Sequence, residues 1–286
     1  MVHSTWGDWF VRDEVEAAEP DGASCWYLGC NGFVVRSAEA TLYIDPYFQD
    51  GNPPRVVRMI PVPMDPADAT DCDGVLISHE HVDHANPPSY GPLVEGCDAT
   101  AYGTSACWDG REEYDGPVEV DGEHQREISV GETLTIGDFD VHVRDAEDPD
   151  AEGDVSFVVE HDSGTFFHGG DARPSEAFAE IGSEFDIDLG AVAFGSIGNI
   201  HEPDEAETFR TQWYMNENDV IECANMLGLD RLVPTHYDMW RGMDADPKVL
   251  HDHATSFEYP RIIERVQVGD RLDFGSPGVR KAESLR

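Results

Sequence analysis

The sequence predicts a single layered α/β (α+β) domain in which helices cover the outside of two sheets. Three observations carry that expectation. Glycine-punctuated strand pairs fill the first half of the chain, strands alternate with helical stretches in the second, and no linker separates the two patterns. With 286 residues and 40% hydrophobic content there is material for a full core. The expected organisation is one domain over residues 1–286, with 1–22 packed along the body's edge and 275–286 as a frayed tail. No internal repeat is visible.

The elements follow in order. The acidic residues 1–22 carry Trp6, Trp9 and Phe10 as anchors. Residues 25–35 and 41–45 read as paired strands, and Gly29 and Gly32 mark a bend or a close backbone approach. Asp45 ends the second strand before Pro46, where it either caps a turn or orients a neighbouring site. Residues 46–70, rich in Pro and Asp, show no period and read as a long connection that either covers a site or lies on the surface. Val75-Leu76-Ile77 is a short buried strand. Short helices are expected from Asn86-Pro87-Pro88-Ser89 onward and over 104–109. Residues 130–143 alternate and turn at Gly137-Asp138, a β-hairpin. Strands follow at 155–160 and 165–168, then a helix over 175–181, a buried strand at 189–194 and a helix over 218–227 stopped at Gly228. A strand at 231–236, a helix near 248–257 and a closing strand at 262–268 complete the body.

Charge narrows the function. Lys and Arg number 18 against 59 Asp and Glu, a net −41, and Lys248 and Lys281 are the only lysines. The acid is spread along the chain, so it reads as a solvated surface. Such a surface is tolerable when salt screens it, the Debye length being about 3 Å at 1 M. A salt-loving source is expected, and nucleic-acid binding, which needs a basic footprint, is not. No apolar run approaches the ~18 residues of a transmembrane helix, so no membrane partner is expected. The first residues lack a basic region followed by an apolar one, so a cytoplasmic protein is expected. The six Cys form no C-x-x-C pair and read as buried thiols, a Cys25–Cys30 disulfide being the alternative.

The chemistry centres on Ser78-His79-Glu80-His81-Val82-Asp83-His84, directly after the buried strand. Successive strand residues face opposite ways, so His79 and His81 can point together, and a turn can fold Asp83 and His84 around a second position. Imidazoles with a carboxylate are the ligands of zinc and related ions. Two further candidates stand at strand ends: Asp171 after Gly169-Gly170, and His236 in Pro234-Thr235-His236.

This set, H-x-H-x-D-H, a later Gly-Asp and a later strand-end His, resembles the metallo-β-lactamase fold superfamily. Trp26-Tyr27-Leu28-Gly29-Cys30-Asn31-Gly32, Phe167-His168-Gly169-Gly170-Asp171 and Pro234-Thr235-His236-Tyr237-Asp238-Met239-Trp240 are similar to segments of its L-ascorbate-6-phosphate lactonase branch, over roughly residues 6–258. The resemblance implies a four-layer αβ/βα sandwich. It implies His79, His81 and Asp145, with Asp148 as second choice, around one ion, and Asp83, His84 and His236 around another, with Asp171 between them. Mn2+ or Zn2+, one or two ions, is expected, with Asp83 and Asp171 catalytic and Asp45 orienting the histidine loop. The implied reaction is opening of a lactone or similar small ester, since a bound metal makes hydroxide available at neutral pH. Arg173 and Arg241 are the candidates for contacting a small-molecule substrate, a sugar-phosphate lactone among them, and His168 and His201 either face that substrate or support the ligands from behind. A phosphodiesterase and a non-catalytic metal-binding protein are the rival readings, and the branch points to a homo-oligomer.

Overall fold

The computed structural model describes residues 4–53, 56–108, 120–202 and 207–282. In chain order the strands are β1 (Ser24–Gly29), β2 (Gly32–Arg36), β3 (Thr41–Ile44), β4 (Gly51–Asn52), β5 (Val56–Val57), β6 (Gly74–Leu76), β7 (Thr100–Gly103), β8 (Gln125–Glu127), β9 (Thr133–Ile136), β10 (Phe139–Asp145), β11 (Val155–His161), β12 (Gly164–His168), β13 (Leu189–Ala193), β14 (Ile197–Glu202), β15 (Glu207–Gln212), β16 (Arg231–Thr235), β17 (Met243–Asp244), β18 (Ile262–Ile263), β19 (Arg271–Asp273) and β20 (Ser276–Arg280). The α-helices are α1 (Pro87–Cys97), α2 (Glu176–Glu184), α3 (Glu217–Leu227) and α4 (Val249–Ala254).

Two large sheets face each other. One runs β20-β19-β1-β2-β3-β6-β7-β8 and the other β18-β16-β13-β12-β11-β10-β9. Period-two alternation sorts their side chains into layers. Cys25, Tyr27, Phe33 and Val35 from the first sheet meet Val141, Phe157, Phe166, Leu189 and Val233 from the second in a central core. Their neighbours Trp26, Leu28, Val34 and Val75 face outward, where Phe10, Tyr90 and Leu93 cover them. On the far side, Val158, Phe167, Val192 and Leu232 pack against α2 and α3 through Phe178, Ile181, Val220 and Ile221. Helices outside two sheets are the expected four-layer arrangement.

Local chemistry sets the element ends. Asn216 accepts from the backbone N–H of Asn218 and Asp219 to cap α3, and Gly228 ends it at φ +65°. Gly137 turns the β9–β10 hairpin at φ +58°, where a side chain would meet Ala40 Cβ at 2.4 Å. Residues 10–16 form a π-helical turn that buries Phe10, Val11 and Val15, so the N-terminal segment does pack on the body.

Two expectations about the chain's end are corrected. The tail is not frayed over 276–280: β20 pairs antiparallel with β19, Arg271 opposite Arg280. The closing strand is reduced to Ile262–Ile263, after which the chain crosses to the first sheet and adds β19 beside β1. Residues 46–70 contain a small β4–β5 hairpin, and the β14–β15 hairpin was also absent from the sequence reading. Short strands with exposed faces leave little periodic signal, which is why both escape it.

What this fold does for function is positional. β3 runs parallel to β6 in the first sheet, and β12, β13 and β16 run parallel in the second. The segments after β3, β6, β12 and β16, the β1–β2 turn and the β10–β11 connection converge at one end of the sandwich.

Candidate metal centre

The histidine segment leaves the strand before it reaches its ligands. After β6, residues 79–81 bend, and His84 and Ala85 both donate backbone N–H to the carbonyl of His81 at 2.9 Å. That turn folds His84 back beside His79, ring centroids 4.0 Å apart. His79 and His81 stand edge to face at 4.5 Å, pointing the same way through the bend rather than through strand alternation.

Asp45 fixes this arrangement from below. Its carboxylate accepts from Ser78 N–H at 2.8 Å, from Ser78 Oγ at 2.6 Å and from His84 Nδ1 at 2.8 Å. The side chain is fully buried. Burial alone would raise its carboxyl, but the charge and hydrogen bond of His84 outweigh it and hold it at about 2. An ionised Asp45 accepts a hydrogen bond from His84 Nδ1–H and so aims the other ring nitrogen, Nε2, at the site.

Asp171 sits on the turn after β12. Gly170 takes φ +55° there, and a side chain would come within 3.0 Å of Ser78 Oγ, so the Gly-Asp pair lets the carboxylate reach the histidines. Asp171 Oδ2 lies 3.3 Å from His84 Nε2 and 3.8 Å from His79 Nε2, and Oδ1 lies 3.2 Å from His236 Nε2. Burial raises an isolated carboxyl, yet His236 and His84 pull this one well below its usual range. His236 follows β16 at φ +64° and stacks against Tyr214 at 4.1 Å. Cys30, Asp45, Ser196 and His236 are four of the five described non-glycine residues with positive φ. Backbone strain of this kind collects where geometry is held for function.

Three overlapping donor groups result: His79, His81, Asp148 and Asp171; His84, Asp171 and His236; and Cys30, Asp83 and His236. The last two share His236 and together make up the second position, while Asp171 belongs to the first two. Most separations suit an ion: His79 Nε2 and His81 Nδ1 each lie 3.8 Å from Asp148 Oδ2, and Asp83 Oδ2 lies 3.9 Å from His236 Nε2, while the two imidazole nitrogens His79 Nε2 and His81 Nδ1 stand closer, at 2.9 Å. Ligands bound at about 2.0–2.3 Å in a roughly tetrahedral shell lie about 3.3–3.8 Å apart. His84 Nε2 is buried and makes no hydrogen bond of acceptable geometry, although Asp171 is near. A buried imidazole nitrogen left without a hydrogen bond is what a ligand position looks like before its ion arrives.

The sequence reading of the remaining candidates is revised in three places. Asp145 is exposed at the end of β10, and its carbonyl accepts from Ser156 Oγ; Asp148, the second choice, is the carboxylate that reaches His79 and His81. The connection after β10 must run three residues further before it turns inward. His168 is fully buried and its Nε2 bonds the carbonyl of Asn31 at 2.8 Å, so it is beneath the site and cannot face a substrate. Arg241 is on an exposed turn, its N–H bonded to the carbonyl of Val57. Arg173 is half-buried two residues beyond Asp171, its guanidinium on the carbonyl of Trp213 and its charge felt by Asp148. The backbone of His201 pairs with Thr208 in β14; its side chain lies outside the described residues.

Other contributors were missed. Glu80 is buried and accepts from the N–H of Glu152 at 2.7 Å and of Gly153 at 3.4 Å, fastening the loop that carries Asp148. Asn31 ties three elements, donating to the Gly170 carbonyl at 2.8 Å and accepting from Thr235 Oγ1 at 2.8 Å. Its place in Gly29-Cys30-Asn31-Gly32, a turn crowded by backbone, was the available signal. All six cysteines are free, which excludes the Cys25–Cys30 pairing here.

A family model described as a β-lactamase superfamily domain matches residues 41–237, from β3 through His236. Among curated relatives, the probable L-ascorbate-6-phosphate lactonase UlaG of Escherichia coli O127:H6 is 25% identical over 86% of this chain and 78% of its own. The corresponding protein of Shigella flexneri is 25% identical over 94% of this chain and 82% of its own. Among solved structures, isothiocyanate hydrolase from Delia radicum gut bacteria superposes with a TM-score of 0.64 at 14% identity, covering 88% of this chain and all of that one. Igni18, a metallo hydrolase of Ignicoccus hospitalis KIN4/I, gives 0.63 at 15% identity, over 88% of this chain and 98% of its own.

Proposed function

The chain belongs to the β-lactamase superfamily domain family and is a hydrolase of the metallo-β-lactamase type; from that premise we propose that it opens a small lactone, a sugar-phosphate lactone being the first candidate. The observation that carries this reading is the sharing of Asp171 between two donor sets, within a chain whose likeness to the lactonases extends over 86% of its length. When bound, divalent ions polarise a carbonyl and bring the pKa of water from ~15.7 to about 7. His79, His81 and Asp148 would hold one ion, Asp83, His84 and His236 the other, and Asp171 would touch both. Mn2+ and Zn2+ are the two candidates.

The rest is work for this chain's own side chains. Asp45 keeps the proton on His84 Nδ1, and Glu80 holds the loop of Asp148 in place. Opening the ring adds water across the acyl C–O bond: the water oxygen stays in the new carboxylate and one of its protons goes to the departing ring oxygen. In this reading Asp83 or Asp171 would pass that proton. Arg173 would meet a phosphate at the mouth, a cation that an anionic substrate needs on so acidic a protein.

The test is hydrolysis in high salt by manganese- or zinc-loaded protein, offered a sugar-phosphate lactone, simple lactones and an aryl phosphodiester. Acid release from the lactones is the expected result. Cleavage of the phosphodiester alone would replace the substrate class, and no turnover of either by metal-loaded protein would leave a binding protein instead.

A further inference from the structure

We infer that Cys30 is a ligand in the second donor set, binding through sulfur and making that position selective for thiophilic ions. The inference rests on the two-ion reading above and concerns one of its positions. Cys30 follows β1 at φ +59°, in the tight turn to β2, a conformation that turns its side chain away from the strand's faces. It is fully buried, at the edge of a small apolar cluster with Tyr47, Met239, Trp240 and Met243 that is separate from the central core. Its Sγ lies 3.4 Å from Asp83 Oδ2 and 3.6 Å from His236 Nε2. Those are the separations of atoms that share one ion with a sulfur bond of about 2.3 Å and nitrogen or oxygen bonds near 2.0–2.2 Å.

A second observation lies on the adjoining donor group, His84, Asp171 and His236, which shares His236 with Cys30 and Asp83. His84 Nε2, with no hydrogen bond and no exposure, looks across at Asp83 Oδ1, 3.9 Å away, on the other side of the carboxylate that Cys30 touches. The backbone also builds the position in: the N–H of His236 donates to the carbonyl of Cys30 at 3.2 Å, fixing the two ligand-bearing turns to each other. None of the other five cysteines joins a described donor group.

The two positions then differ in kind. The first offers imidazoles and carboxylates; the second adds a soft sulfur, which favours zinc, cobalt or cadmium over manganese. Binding forms an S–metal bond as the S–H bond breaks, and the proton leaves to solvent, one per ion bound at this position.

Cobalt reports this directly. The full chain in high salt, titrated with Co2+, is expected to bind two ions and to develop a thiolate-to-cobalt charge-transfer absorption with one of them. Cys30→Ser should lose that absorption while keeping the ligand-field bands of the first ion. Its affinity for a second zinc ion should fall about 10–100-fold, the scale on which disturbed metal sites weaken. Wild-type protein that binds two cobalt ions without the absorption, or a variant that retains it, would overturn the assignment of Cys30 alone. Wild-type protein that binds no cobalt would overturn the two-ion reading with it. Should the variant not fold, the 113Cd resonances of cadmium-loaded wild type serve instead: one resonance displaced to the range of sulfur ligation supports the inference, and two oxygen- and nitrogen-type resonances refute it.

Discussion

Asp171→Asn is expected to reduce turnover by at least about 10³-fold, with little loss of fold. The residue faces both donor sets, at 3.2 Å from His236, 3.3 Å from His84 and 3.8 Å from His79. An amide keeps the shape and removes the charge. An ion polarising a substrate is worth several kcal/mol of charge stabilisation, and about 4 kcal/mol is about 10³ in rate. The structural cost should be small, because Asn31 keeps its 2.8 Å hydrogen bond to the Gly170 carbonyl, and the longer one it donates to Asp171 Oδ1, at 3.5 Å, can be accepted by an amide oxygen as well. Steady-state turnover of lactones, with far-UV dichroism as the control for folding, checks the prediction. Wild-type turnover in the variant would remove Asp171 from the site.

Chelation is expected to lower the melting temperature by about 10 °C in high salt, and stoichiometric zinc or manganese to restore it. The site concentrates Asp45, Asp83, Asp148 and Asp171 with His79, His81, His84 and His236 in a small volume, nearly all of it buried. Among these groups burial and the neighbouring His84 push His79 well below its usual range, while Asp171, Asp45 and Asp83 push His84 well above its own against burial, and a bound ion would compensate the carboxylates further. A ligand present at about 10³ times its Kd adds about 4 kcal/mol, and each kcal/mol moves a domain of this size by about 2–4 °C. Differential scanning calorimetry with and without chelator gives the number. Identical melting in both would mean that the folded chain holds no ion.

Much of the site was legible because its ligands follow strands. Val75-Leu76-Ile77, Phe166-Phe167 and Leu232-Val233 are apolar runs that end in His, Gly-Asp and His, and a buried strand delivers whatever follows it to the sheet's end. The ligand that was misplaced lies where that logic stops. Asp145 ends β10 and satisfies the strand rule, but Asp148 enters the site because the next turn carries it inward, held by Asp154 on its N–H at 2.6 Å and by Glu80 on the residues beyond. Neither contact has a signature in local sequence, since Glu80 acts across 72 residues. Cys30 is the buried thiol expected, but its place beside the site was not legible, for a related reason. A lone cysteine beside a strand is usually a small apolar filler, and only the positive φ of the β1–β2 turn sends its sulfur toward Asp83 and His236. The layering of the fold was visible in alternation; the crossing of β19 and β20 back to the first sheet was not, because Gly275 to Arg280 carries no apolar period.

We propose that this end of the sandwich holds two ions on the shared carboxylate of Asp171. Anomalous diffraction at the metal edge, from crystals grown with zinc or manganese, tests it most directly. Two peaks are predicted, one among His79, His81 and Asp148 and one among Asp83, His84 and His236, with Asp171 beside both. Peaks elsewhere on the acidic surface, with none between these residues, would contradict it.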